Sequence, residues 1–365
     1  MQELSRPSHG GNLVWAASIA GCSPFAILDF SASINPLGPP QSAIAAIQAH
    51  LGDLRDYPDP EYQALRQALS QFHQIPMDWI LPGNGSAELL TWASRELAKL
   101  QATHLLTPAF GDYQRALQAF DANIVVSSFD LQETGKLGGE EADSVPIQPS
   151  TSQSGLLLNN PHNPTGRLFS IDAILPLLEQ FALVVLDEAF MDFLPPSEQQ
   201  SLINLVQDYS HLVILRSLTK FYSLPGLRLG YAIAHPDRLN RWRQWRDPWC
   251  VSTLAAAAGV AIVQDLDFQQ QTWNWLKPTR TQLSRGLANI SGLTPLPSAA
   301  NFLLVHCQSS VIDLQFRLLE QRQILIRDCL SFSELGDHYF RVAVRTSEQN
   351  QQLLDGLGAV LNHDR

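Results

Sequence analysis

Cysteine is scarce in this chain. The four of them in 365 residues, Cys22, Cys250, Cys307 and Cys329, lie far apart and form no Cys-x-x-Cys pair. No zinc spacing results, and the four read as reduced, small, buried apolar residues. The ten histidines form no His-Glu-x-x-His spacing, so no metal site is expected. Basic runs are also missing, and the formal net charge is -11. Nucleic acid and anionic membranes are therefore not expected partners. No apolar stretch reaches membrane-spanning length. Residues 1–12 contain no apolar run that could serve as a signal peptide, so a cytoplasmic location is expected.

Hydrophobic residues make up 45% and charged residues 16% of the chain, the balance of a soluble globular enzyme. Its length suggests about two domains. An acidic protein that handles an anionic substrate must do so with a local cationic site.

From about residue 80, short apolar runs alternate with helical patterns. Strands are expected at Thr103–Leu106, Asn123–Ser127, Gly155–Leu158, Leu183–Leu186, Leu212–Leu215 and Leu229–Ala234. Helices are expected at Ser42–Leu51, Glu61–Phe72, Ala87–Leu100, Asp112–Phe120, Ile171–Phe181 and Ser201–Tyr209. Strands this apolar, alternating with helices, imply an α/β fold with a mostly parallel sheet covered on both faces. In such sheets ligands bind beyond the carboxyl ends of the strands.

Residues 1–40 read as an N-terminal arm, and 41–255 as the large domain. Within the latter, 134–154 is rich in Gly, Ser, Gln, Glu and Pro and reads as a long surface loop. A helical stretch over 256–287, beginning near Ser252 and broken near Pro278, leads out of it. Residues 288–365 carry an α+β pattern, with elements expected at Asn301–Val305, Val311–Gln321, Ile324–Arg327, Tyr339–Val344 and a final helix at Glu348–Leu361, and read as a smaller C-terminal domain.

The residues that carry chemistry follow the strands. Arg216 to Tyr231 extends an apolar strand with hydroxyls, Lys220, a Pro-Gly turn and Arg228. Lysine is rarely buried unpaired, and at a site of low polarity it becomes a nucleophile toward carbonyls. Gly83-Asn84-Gly85-Ser86-Ala87 opens a helix, and small residues there leave N–H groups free for a phosphate. No Gly-Lys-Ser/Thr follows, so this is no Walker motif; an ordinary cap by Ser86 is the plain alternative. Asn159 to Gly166 follows the next strand, and Asp187 another. A carboxylate at the end of an apolar strand needs a cationic partner. A cofactor with a phosphate, a ring nitrogen, a phenolate-like oxygen and an aldehyde would use this whole set. Pyridoxal 5'-phosphate is such a cofactor.

The chain resembles the fold-type I pyridoxal-phosphate enzymes of the aminotransferase class I/II superfamily along essentially its whole length. Within the superfamily it is similar to the histidinol-phosphate aminotransferase-like branch and, more closely, to the decarboxylases of threonine phosphate. The resemblance rests on His9-Gly10-Gly11-Asn12, Ile34 to Gly38, Asp187 to Phe190, Ser217 to Tyr222, Ile326 to Cys329 and Arg341 to Thr346. It implies that Lys220 bonds the cofactor and that Asp187 pairs with its ring nitrogen. It implies that Asn163 meets the ring 3'-oxygen, and that Gly85, Ser86, Ala87, Thr219 and Arg228 hold the phosphate. Phe110 would stack on the ring, with Tyr113 as the other candidate; buried ring contacts are the plain alternative for both. Tyr57 would reach the cofactor phosphate of a second subunit in a homodimer with shared active sites. His9, Gly10, Gly11, Asn163, Arg327 and Arg341 would bind a phosphorylated amino-acid substrate. A cross-strand ion pair is the alternative for the arginines, and it suits Arg345 better than Arg341.

Phe190, Thr219 and Arg345 depart from the tyrosine, serine and glycine usual in histidinol-phosphate aminotransferases. The activity implied is decarboxylation of L-threonine O-3-phosphate for the corrinoid side chain, with histidinol-phosphate amino transfer as the alternative. By the same resemblance, the Asn163–Pro164 bond is expected to be cis.

Overall fold

The computed structural model describes residues 6–128 and 145–362. The expected loop over 134–154 lies partly outside the described residues; its described part, 145–153, holds no helix or strand. The chain starts with α1 (Leu13–Ala20), β1 (Leu28–Asp29), α2 (Gln41–Ala49), α3 (Gln63–His73), β2 (Ile80–Asn84), α4 (Gly85–Leu97), β3 (Ala102–Thr107), α5 (Gly111–Gln118) and β4 (Ile124–Ser128). It continues with β5 (Ser154–Asn159), α6 (Ile171–Gln180), β6 (Leu183–Asp187), β7 (Leu212–Ser217), β8 (Leu229–Ala234), α7 (Pro236–Trp245), α8 (Thr253–Val263) and α9 (Leu266–Ala288). The last elements are β9 (Leu293–Pro295), β10 (Phe302–Cys307), α10 (Val311–Arg322), β11 (Ile324–Leu325), β12 (Arg327–Asp328), β13 (Tyr339–Ala343) and α11 (Ser347–Asn362).

Two compact units result. One comprises Leu37–Asn163 and Arg167–Trp273; the other comprises Met1–Pro36, Pro164–Gly166 and Asn274–Arg365. In the larger unit, seven described strands form one sheet in the order β2-β8-β7-β6-β5-β3-β4. Strands β4, β3, β5, β6 and β7 are parallel, and β8 runs antiparallel to both of its neighbours. Leu105, Leu157, Val185, Val213 and Leu215 pack on one face with Leu89, Ala93, Leu117 and Trp242 of α4, α5 and α7. Leu106, Leu156, Leu158, Val184, Leu186 and Ile214, which alternate with them, are equally buried, so both faces are covered.

In the smaller unit, four strands form an antiparallel sheet in the order β12-β13-β10-β9, and β1 pairs in parallel with β11. Trp15, Ala16 and Ala17 of α1 pack there with Ile27, Leu319 and Leu325.

Several expectations need correction. Residues 1–40 contain a helix, α1, capped by Asn12, whose side chain accepts from Trp15 N. Its sequence, Leu-Val-Trp-Ala-Ala-Ser-Ile-Ala, is apolar nearly all round and gives no amphipathic period. Residues 80–84 are an edge strand, which tolerates Pro82 because its missing N–H faces no partner strand. Ser201–Tyr209 is not an α-helix; only Ile203–Leu205 forms a 3-10 turn. Helix α7, absent from the expected elements, is built on a polar sequence whose apolar contacts are few and large, Leu239 and Trp242. Pro278 lies inside α9, and the helical stretch is interrupted at Gln264 and Asp265 instead. Ile324–Arg327 splits into β11 and β12, which join different sheets. Asn163–Pro164 is trans; the cis bond nearby is Asn160–Pro161.

Candidate active site

Strand register in the larger unit brings the chemistry to one edge of its sheet. Asn159 pairs with Asp187, Asp187 with Leu215, Ser217 with Gly230, and Asn84 with Leu229. The carboxyl ends of β2, β5, β6 and β7 therefore meet the start of β8. The segments that follow them, together with the one that follows the parallel neighbour β3, carry Gly85, Ser86, Ala87, Phe110, Asn163, Thr219, Lys220 and Arg228.

Asp187 ends β6 and is buried. Its Oδ2 accepts from the Tyr113 hydroxyl at 2.7 Å, and its Oδ1 from Ala189 N at 3.0 Å. Burial pushes the carboxyl pKa up, while the Lys220 charge, the Tyr113 hydroxyl and the Ala189 N–H pull it down. The Asp187 carbonyl accepts from Asn159 Nδ2 at 2.6 Å and from Asn160 N at 3.0 Å. Asn159 Oδ1 in turn accepts from Asn163 N at 2.7 Å, which holds the turn bearing Asn163 against β6.

Helix α4 begins where β2 ends. Its cap residue is Asn84 rather than Ser86, and Asn84 makes no side-chain cap bond. Glu88 turns away to accept from Asn84 N at 2.6 Å and from Trp92 Nε1 at 3.0 Å. Gly85 has φ +75°, and a Cβ there would lie 2.7 Å from Arg228 Nη2. A guanidinium thus sits against the positive end of a helix, an unfavourable pairing unless an anion lies between them. Gly230 lets β8 approach this point, since a Cβ there would lie 2.5 Å from Ser86 N. The donor set fits a phosphate.

Lys220 follows β7 in a tight turn. Thr219 N donates to Ser217 Oγ at 3.3 Å, and Leu224 N to the Thr219 carbonyl at 2.9 Å. Lys220 Nζ lies 4.7 Å from the centre of the Phe190 ring. Phe110 caps α5 and meets Tyr113 edge-on at 5.6 Å. Tyr57 is 79% exposed and stacks on Trp249 at 4.5 Å. Among the described residues no hydrogen bond or ring contact ties it to this sheet edge.

Two features escaped the sequence reading. One is the Tyr113–Asp187 bond. The other is a buried charge cluster behind the edge. Arg216 Nη2 lies 2.9 Å from Glu188 Oε2, and its Nη1 donates to Asp192. Ser201 Oγ donates to Glu188 at 2.7 Å, and Leu202 N at 3.1 Å. The cluster ties the end of β6, next to Asp187, to the end of β7, four residues before Lys220. Arg216 at the end of an apolar strand was the signal, because a charge there demands a partner.

In the smaller unit, Arg327 and Arg341 are direct cross-strand neighbours on β12 and β13. Arg327 Nη2 donates to the Ser8 carbonyl at 2.6 Å and to Ser331 Oγ at 2.5 Å. Arg341 Nη2 donates to the Ser31 carbonyl at 3.4 Å, and its guanidinium lies 4.9 Å from the Phe302 ring centre. Burial, with the neighbouring Arg327 charge, brings the Arg341 pKa down to about 10. His9 is exposed at the head of the arm. Gly10 packs so tightly that a Cβ would lie 2.3 Å from the Ser31 carbonyl oxygen, and Gly11 N donates to Ser31 Oγ at 2.7 Å. Arg345 donates to the Asp29 carbonyl and to Gln349. Among the described residues no helix is long and apolar enough to cross a membrane.

The family model for aminotransferase class I and II matches residues 26–357. The chain is 40% identical to the threonine-phosphate decarboxylase of Salmonella typhimurium over 367 residues, covering 98% of both chains. It is 29% identical to an adenosylcobalamin biosynthesis bifunctional protein of Leptospira interrogans, covering 98% of this chain and 41% of that one. Its fold is similar to that of the histidinol-phosphate aminotransferase from Clostridium acetobutylicum, with a TM-score of 0.80 at 25% identity over 92% of this chain and 99% of that one.

Proposed function

Because the chain belongs to the class I and II aminotransferase family, we propose that it is a pyridoxal 5'-phosphate-dependent carboxy-lyase. It decarboxylates L-threonine O-3-phosphate to (R)-1-amino-2-propanol O-2-phosphate in cobalamin biosynthesis. The observation that carries the substrate is the full-length similarity to the Salmonella decarboxylase. The similarity to an adenosylcobalamin biosynthesis protein supports the pathway.

Bound pyridoxal phosphate supplies a sink for the electron pair released at Cα. The chain supplies the rest. The N–H groups of Gly85, Ser86 and Ala87, with Thr219 and Arg228, would hold the cofactor phosphate. Asp187 would hold the proton at the ring nitrogen, Asn163 would meet the ring 3'-oxygen, and Phe110 would cover a ring face. Lys220 would bond the aldehyde carbon in the absence of substrate, and its freed amine would return a proton to Cα. Arg327, Arg341 and the donors of His9, Gly10 and Gly11 suit the substrate's phosphate and carboxylate, since guanidinium groups bind both bidentately. Decarboxylation requires the Cα–carboxylate bond to stand perpendicular to the ring, so where these anions are held selects the bond that breaks.

The exposed Tyr57 supports a homodimer in which it reaches the partner's cofactor phosphate. We place the enzyme in the cytoplasm, without nucleic acid or membrane as partners.

The test is Lys220→Ala. The variant should lose the visible absorbance of the lysine-bound cofactor and nearly all carbon dioxide release from threonine phosphate. Retention of either after exhaustive dialysis would overturn the assignment.

A further inference from the structure

We infer that Tyr113 is a positioning residue for this reaction: by donating to Asp187 Oδ2, its hydroxyl keeps the shared proton on the cofactor's ring nitrogen and off Asp187. The inference rests on the proposed pairing of Asp187 with that nitrogen.

A carboxylate facing a pyridine nitrogen can share one proton in two ways. Either the ring carries it and is a strong electron sink, or the acid carries it and the ring is neutral and weak. Proton affinity decides between them, and burial favours the neutral pair because it raises the affinity of the carboxylate. Asp187 is buried, so the site must work against its own desolvation. The groups that face it are few. Lys220, the Tyr113 hydroxyl and the Ala189 N–H stabilise the anion, and Asp112 opposes them. Lys220 is an inconstant ally, because its nitrogen changes charge as it engages in the chemistry. The Ala189 bond serves Oδ1 alone. Tyr113 is therefore the side chain that steadies Oδ2 throughout, at 2.7 Å.

Three further observations support this role. Tyr113 is fully enclosed and its own pKa is pushed well above the ordinary value, first by burial and then by Asp187. It stays a donor throughout the working pH range. Its ring belongs to the apolar core with Leu89, Ala116 and Leu157, where phenylalanine would pack as well. The hydroxyl is thus an addition that packing does not require, and Asp187 is the partner it has found. Finally, Tyr113 is fixed at the start of α5, its N–H donating to the Phe110 carbonyl at 3.0 Å, so the hydroxyl is aimed by backbone rather than by a mobile loop.

The test uses the holoenzyme loaded with cofactor labelled with ¹⁵N in the ring. In wild type the ring ¹⁵N shift should be that of a protonated pyridine. In Tyr113→Phe it should move toward the unprotonated value. The kcat for carbon dioxide release should fall about ten- to a hundredfold, the effect of one hydrogen bond to a buried charge, with KM for threonine phosphate nearly unchanged. Replacing Tyr113 with 3-fluorotyrosine, a stronger donor of nearly the same size, should leave the ring protonated and kcat at or above wild type. A wild-type ¹⁵N shift in Tyr113→Phe overturns the inference. A protonated ring in Asp187→Asn overturns the Asp187 pairing itself, and the inference with it.

Discussion

Gly230 is where the proposed phosphate cradle is most sensitive to one added carbon. A Cβ at this position would lie 2.5 Å from Ser86 N, 2.7 Å from the Arg216 carbonyl oxygen and 2.9 Å from Gly85 C. All three obstacles are backbone, so no side chain can swing aside. To reach ordinary contact at 3.4 Å, the start of α4 must retreat by about 0.9 Å. Overpacking of this kind costs about 1–3 kcal/mol, and backbone obstacles on both sides place Gly230→Ala near about 3 kcal/mol. For a unit of this size that lowers the melting temperature by roughly 6–12 °C. The same displacement moves the Ser86 and Ala87 donors away from a bound phosphate. A misplacement of about 1 Å costs up to about a hundredfold, so cofactor affinity should fall by a similar factor. Absorbance titration of the apoprotein with pyridoxal phosphate measures the affinity, and denaturation of the apoprotein measures the stability. Gly226→Ala is the control, because a Cβ there meets nothing within 4 Å. Wild-type affinity in Gly230→Ala would refute the claim that the α4 end holds the cofactor.

Arg341→Ala should cost roughly 2–5 kcal/mol in kcat/KM for threonine phosphate and much less for threonine, measured side by side; equal fractional losses would place phosphate recognition elsewhere. Glu188→Ala should destabilise the fold by about 3–5 kcal/mol, because it takes from the buried Arg216 one of its two carboxylate partners and leaves Asp192 and the Ser201 hydroxyl, and urea unfolding reads this directly. His162 is 1% exposed, and burial, helped by Arg167, brings its pKa down to about 3. The unfolded chain then binds the extra proton between about pH 6.5 and 3, so stability falls as pH drops through that window. From pH 7 to pH 5 the loss is about 2 kcal/mol. Urea unfolding at the two pH values should show it, and His162→Phe should remove it.

The large sheet was legible because its parallel strands centre on short apolar runs flanked by helical periodicity. Lys220, Asp187 and Arg228 were legible because charge at the end of such a run has few structural uses. What escaped notice lacked a periodic signal. Helix α1 is apolar on nearly all sides, and β2 hides behind Pro82 and Gly83. Helix α7 buries only two large side chains. The Tyr113–Asp187 bond joins residues 74 positions apart in sequence, a pairing that only the packing of α5 on the sheet reveals. The Arg216 cluster is of the same kind. Its members come from the ends of β6 and β7 and from the segment at Ser201, whose hydroxyl is spent on Glu188 where a helix was expected.

The proposed reaction breaks the bond from Cα to the carboxylate of a phosphorylated amino acid. The most direct measurement incubates purified holoenzyme with carboxyl-labelled L-threonine O-3-phosphate, and separately with histidinol phosphate plus 2-oxoglutarate. The first should give labelled carbon dioxide and an equal amount of aminopropanol phosphate, and the second no glutamate. Glutamate from the second without carbon dioxide from the first would contradict this and identify an aminotransferase.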